Sequence, residues 1–169
     1  MKLNKLIAIA TISLLSGGIS MAQKALNLED IVAGNVIQTK GIGSMTWLKD
    51  GERYSRLENN KQTGGTDIVA YQAKDNSREV IIPSSLLTDK STGKPIPARS
   101  ISWSADNEKV LIYNNTRRVW RYDTRGDYWV LNLKDGALRQ LGKGMPESSM
   151  MFAKFSPDGT RVAYVSNNN

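Results

Sequence analysis

The side chains best equipped for chemistry in this sequence lie close together: Arg117, Arg118, Arg121 and Arg125, interleaved with Trp120, Tyr122 and Trp129. A guanidinium is a planar, permanently charged fork that donates several hydrogen bonds and needs no protonation step. Aromatic rings set between such cations would also stack on a single strand of nucleic acid. The plainer alternative is an exposed hairpin whose charges are simply solvated. What the chain lacks narrows the choice, because it holds no His and no Cys. An imidazole base, a thiolate nucleophile and a Cys/His metal cage are excluded, and a self-sufficient Ser-His-Asp hydrolase with them. Disulfides are excluded too, so burial and backbone pairing must hold the fold. The Asp residues do not show the alternating spacing of a calcium loop, and neither a metal nor a cofactor is expected.

The elements that position these residues follow from pattern. The 169 residues are 40% apolar and 23% charged, a globular composition for which one domain is expected. Basic residues number 23 against 16 acidic ones, a net charge of +7, and the excess is spread over many loops instead of forming a run. Met1 to Lys5 is short and positive, Leu6 to Leu15 is apolar except for Thr11 and Ser13, and Ser20-Met21-Ala22 puts small residues where a signal peptidase reads. This predicts a secretory signal peptide over residues 1–22. A membrane span needs about 20 apolar residues, and Ser16-Gly17-Gly18 stops this run at about half that length. No Cys follows the small residues, which excludes a lipid-anchored lipoprotein. The mature chain is expected to begin at Gln23, to keep 147 of the 169 residues, to have no membrane span, and to reside in the periplasm or at the cell surface. An exported protein seldom meets nucleic acid, so no nucleic-acid partner is expected.

Asn27 to Gly34 carries a cap, acids in its first turn and a terminal Gly, which predicts one short helix within an N-terminal segment over residues 23–43. From Ser44 onward, runs of four to six apolar residues, rich in Val, Ile, Tyr and Trp, alternate with Asp-Gly, Asp-Asn or Gly-rich turns. Three stretches share one pattern of aromatic, two residues, Asp, Gly or Asn, one residue, base and apolar. They are Trp47 to Tyr54, Trp103 to Val110 and Phe155 to Val162, with Asp50, Asp106 and Asp158 at periods of 56 and 52. Between them lies a second hairpin type, Ile68 to Tyr71 with a turn at Asp75-Asn76, and Tyr128 to Leu131 with a turn at Asp135-Gly136. The turn pair is expected to take positive φ, and the aromatic before it to pack inward on a neighbouring sheet. Four antiparallel strands in a period of roughly 40–50 residues mark a β-propeller blade. A β-sandwich is the alternative, but its strands need not repeat a motif at a fixed period. The expected fold is all-β: an incomplete β-propeller over residues 44–169, of about two and a half to three blades. Propellers close with about 4–8 blades, so the chain is expected to be the front portion of something longer.

Four passages resemble the N-terminal propeller of the dipeptidyl peptidase IV family, serine exopeptidases of the prolyl oligopeptidase clan. They are Leu28-Glu29-Asp30-Ile31, Trp47-Leu48-Lys49-Asp50-Gly51 with Tyr54, the stretch from Trp120-Arg121 through Gly126-Asp127-Tyr128 to Val130, and Phe155-Ser156-Pro157-Asp158-Gly159 followed by Val162 to Val165. The resemblance implies an eight-bladed propeller over an α/β-hydrolase domain. It implies removal of X-Pro or X-Ala dipeptides from peptide N-termini, with this segment acting in substrate gating and positioning. It further implies that Arg121 hydrogen-bonds a substrate backbone carbonyl; Arg117 is expected on the solvated side of the same hairpin. Where relatives often carry Ser, this sequence has Asp123.

The family's catalytic triad and paired glutamates belong to other segments, and this chain has neither a Gly-x-Ser-x-Gly elbow nor a Glu-Glu pair. No catalytic residue is therefore assigned, and the chain alone is expected to be inactive. The implied partners are the remaining blades and the hydrolase domain, peptide N-termini, and a second copy if the full-length family member forms a homodimer. The competing reading is a non-catalytic exported propeller-like binding module. Asn114-Asn115-Thr116 also matches a glycosylation acceptor, a short motif frequent by chance.

Overall fold

The computed structural model describes Asn27, Leu28, Val32, Gly41 and residues 43–166. The expected signal peptide and most of the expected helix lie outside the described residues, although Leu28 and Val32 have helical backbone. The chain divides into two compact units, Met1–Gly41 and Ile42–Asn169. Among the described residues no helix is long and apolar enough to cross a membrane, and no group of residues is placed to hold a metal ion.

The second unit is all-β. Strands β1 (Met45–Trp47), β2 (Arg53–Asn59), β3 (Thr66–Gln72) and β4 (Arg78–Ile82) pair antiparallel in chain order. After a 3-10 turn at Ser84–Leu87, the same meander recurs as β5 (Ser100–Trp103), β6 (Lys109–Val119), β7 (Tyr122–Asn132) and β8 (Leu138–Gln140). A third copy begins with β9 (Met150–Phe155) and β10 (Val162–Ser166), joined to the second by the single pair Gly126↔Met150. These are two complete four-stranded blades and the first hairpin of a third.

Alternation along β6 and β7 shows how the blades stack. Val110, Ile112 and Leu131 join Ile68 and Ile82 of the first blade in one buried cluster, whereas Leu111 and Tyr128 join Met150 of the third in another. Because both faces of the second blade are covered, its strands read as continuous apolar runs. The connection from the first blade to the second contributes Leu87 and Ile96 to the first cluster, so it too is held by burial.

The three turns that repeat in sequence repeat atom for atom. Gly51, Asn107 and Gly159 each donate a backbone hydrogen bond three residues back, to Leu48, Ser104 and Ser156, at 3.1, 2.9 and 2.8 Å. These three residues have φ of 70°, 58° and 66°, the left-handed region that Gly and Asn tolerate. Here the expectation needs correction: only the second residue of each pair takes positive φ. The Asp instead accepts from backbone N–H groups beyond it, Asp50 from Glu52 and Arg53, Asp106 from Glu108, and Asp158 from Thr160. The inward aromatic holds for two copies of three. Trp103 packs against the first cluster and donates from Nε1 to Ser55 Oγ at 2.9 Å, and Phe155 packs against the second cluster. Trp47 is 61% exposed, since the described chain places no blade before it.

Candidate functional site

The four arginines fall on a hairpin extension of the second blade. Strands β6 and β7 each run for 11 residues, against 7 for β2 and β3, and the surplus projects as an arm over Asn115–Arg125. Pairing resumes along the arm as Arg117↔Arg125, Arg118↔Asp123 and Val119↔Tyr122, which leaves Trp120 and Arg121 as a two-residue tip. Trp120 has φ of 61°, a conformation that bulky side chains rarely adopt and that concentrates at functional sites. It is 94% exposed, Tyr122 is 73% exposed, and Arg121 is exposed between them. The Arg121 carbonyl accepts from Arg118 Nη2 at 3.4 Å, which ties the tip backbone. Since Arg121 is in the turn, strand alternation does not govern its side relative to Asp123, whose side chain lies outside the described residues. Arg117 and Arg118 are also exposed, and Arg125 is half-buried.

The root of the arm is polar and mostly buried. Register shifts interrupt the β6–β7 ladder between Asn114 and Arg118, and Asn115 takes φ of 43° at the break. Asp127, 7% exposed, receives Asn115 Nδ2 on one carboxylate oxygen at 2.7 Å and the Ser148 backbone N–H on the other at 2.8 Å. Ser148 Oγ donates in turn to the Asn115 carbonyl at 2.5 Å. Around this node Asn114 Oδ1, Arg125 Nε and Ser149 Oγ are buried and have no hydrogen-bond partner. Asn114 itself is buried in β6, so the glycosylation motif is not presented. Gly126 permits the approach of the two strands. A Cβ there would lie 2.3 Å from Tyr113 Cε2 and 2.7 Å from the Asn114 carbonyl, and the Tyr113 ring stacks on Tyr128 at 4.7 Å.

Sequence reasoning found the tip and missed the root. Asp127 stands directly before the apolar run that marks the second hairpin type, just as Asp67 stands before Ile68, and that repeated Asp was the available signal. A second polar group lies on the first blade. The Glu58 carboxylate accepts from the Tyr71 hydroxyl and, at 2.8 Å, from Arg78 Nη2, and the hydroxyl followed by the guanidinium holds Glu58 below the usual carboxylate range. It ties three neighbouring strands together, β2 through Glu58, β3 through Tyr71 and β4 through Arg78.

Known proteins share parts of this sequence and its fold. Residues 104–169 match the model of the dipeptidyl peptidase IV N-terminal region. A probable dipeptidyl-aminopeptidase B of Tuber melanosporum is 28% identical over 88% of this chain and 16% of its own length. Dipeptidyl aminopeptidase B of Saccharomyces cerevisiae is 26% identical over 82% of this chain and 16% of its own. The chain thus spans about a sixth of the curated relatives it matches. Among solved structures, Porphyromonas gingivalis dipeptidyl peptidase 4 superimposes with a TM-score of 0.66 at 21% identity, over 87% of this chain and 20% of that one, which supports the propeller fold.

Proposed function

Given that this chain belongs to the dipeptidyl peptidase IV family, as part of its N-terminal propeller region, we propose that it forms the substrate-positioning front of an exported serine-type dipeptidyl peptidase. The enzyme would remove X-Pro or X-Ala dipeptides from peptide N-termini. Export rests on the signal pattern over residues 1–22, with processing after Ala22. The observation that carries the reading is the arm. It is a hairpin with Arg121 at its exposed two-residue tip, where a peptide carbonyl can approach the guanidinium's fork of donors. The chemistry itself belongs to a nucleophile and base outside this chain, since there is no His and no Gly-x-Ser-x-Gly here. The missing blades and hydrolase domain are accordingly its partners in the working enzyme.

The test is kinetic and uses the segment in its full-length context. A charge-assisted hydrogen bond to a substrate carbonyl is worth about 1.5–3 kcal/mol, so Arg121→Ala should lower kcat/KM roughly 10- to 150-fold. Arg121→Lys should recover little, because an ammonium lacks the fork. Arg117→Ala, exposed lower on the same arm, should change rates less than about twofold. Equal losses at both arginines, or a loss at Arg121 that tracks a fall in Tm, would overturn the assignment.

A further inference from the structure

We propose that Asp127 is a positioning residue that fixes the arm carrying Arg121, an inference that rests on the substrate role given to Arg121 above. The first blade supplies the reference. There Asp67, 8% exposed, accepts Asn60 Nδ2 at 3.0 Å on one oxygen and the Ser84 backbone N–H at 2.7 Å on the other. This is the Asp127 arrangement with Asn60 for Asn115 and Ser84 for Ser148. In each blade a buried carboxylate on the third strand joins the preceding hairpin to the segment that leads into the next blade.

The two clasps close over different structures. In the first blade the hairpin is the short turn Asn60–Gly65, which its own backbone already holds: Asn60 N–H to Gly65 and Gly64 N–H to Asn60, both at 2.9 Å. Asp67 there adds to a turn that has hydrogen bonds of its own. In the second blade the hairpin is the arm, whose ladder is broken by register shifts at the root. The neighbouring polar atoms Asn114 Oδ1, Arg125 Nε and Ser149 Oγ find no hydrogen-bond partner among the described residues. Beside the Tyr113–Tyr128 stack and the Gly126↔Met150 pair, the Asp127 carboxylate, with its two donors and the Ser148 hydroxyl on Asn115, is therefore the polar fastening of the root. A hairpin that pivots at its root moves most at its tip, and the tip is Arg121.

A loosened clasp lowers the fraction of molecules with Arg121 in place, and apparent affinity falls by that fraction. In the full-length enzyme, Asp127→Asn keeps the shape and removes one acceptor. It should raise KM about tenfold with kcat within about twofold. Combined with Arg121→Ala it should add nothing beyond about twofold, because the effect passes through Arg121. Asp67→Asn should leave KM within about twofold even where it lowers Tm by the same amount. Asn115→Gly, which removes the Nδ2 donor and suits the φ of 43°, should reproduce the KM effect and serves if Asp127→Asn does not fold. Trypsin cleavage after Arg118 and Arg121 gives a readout independent of activity, and it should accelerate in Asp127→Asn and not in Asp67→Asn. Full additivity with Arg121→Ala, or equal cleavage of the arm in the two Asp variants, overturns the proposal. Faster arm cleavage together with a kinetically silent Arg121→Ala leaves Asp127 as the fastener of the arm and instead overturns the substrate role of Arg121.

Discussion

The first and second blades use the same four strands, the same turn geometry and the same carboxylate clasp, yet one closes its middle hairpin in Asn60–Gly65 and the other extends it to Asn115–Arg125. The parts that recur are those whose hydrogen bonds must close within a blade or against the next one. The part that varies lies beyond the clasp, where additional residues displace no packing. The second blade thus differs by a longer loop on an unaltered frame, the kind of place where a scaffold of repeats can gain a site.

The largest expected effect on stability comes at the residue just before the second blade's clasp Asp. Gly126→Ala would drive a methyl into the Tyr113 ring and the Asn114 carbonyl and should cost about 2–3 kcal/mol, read as a fall in Tm. Thr66 holds the same place in the first blade and already carries a side chain, so Thr66→Ala should cost about 1 kcal/mol or less. Similar losses at the two positions would mean that the arm imposes no special fit on its root.

A smaller effect separates the turns by pH. Ser104 and Ser156 hydroxyls hold Asp106 and Asp158 at about 2. Leu48 replaces the serine in the first blade, and Asp50 is lowered chiefly by its hydrogen bond and ion pair with Arg53 at 2.8 Å. A carboxyl depressed in the folded state favours folding at pH values above its unfolded pKa of about 3.9, and that advantage disappears as pH falls through the folded value. Tm should therefore drop between pH 4 and pH 2, and the drop should be shallower in an Asp106→Asn, Asp158→Asn double variant. Added salt should weaken the exposed Asp50 contribution and leave the hydroxyl-bonded pair nearly unchanged. A pH profile unaltered in the double variant would show that these turns do not couple protonation to folding.

The frame was legible in the sequence because its signals are local. Asp-Gly and Asp-Asn turns at a near-constant spacing, each preceded by an aromatic, marked the blades, and the family-like passages singled out Arg121 as a candidate without showing that its hairpin is extended. The clasp was harder to see, because Asp67 and Asp127 work through partners 17 and 21 residues away, and no local pattern shows which backbone N–H a carboxylate will meet. The exposure of Trp47 was hidden for a related reason: its motif matches that of Trp103, and only the stacking of blades decides which aromatic is covered.

The most direct measurement exchanges the two hairpins. Replacing Asn115–Arg125 with the sequence of Asn60–Gly65, in the full-length enzyme, keeps an Asn for the clasp and removes the tip. Stability should fall by no more than about 1–3 kcal/mol, since the exchange also removes the half-buried Arg125. Cleavage of an X-Pro substrate should lose at least the roughly 10- to 150-fold in kcat/KM predicted for Arg121→Ala. An exchanged enzyme that folds and retains full kcat/KM would contradict the account, because the arm would then be an ornament of the blade and not its site.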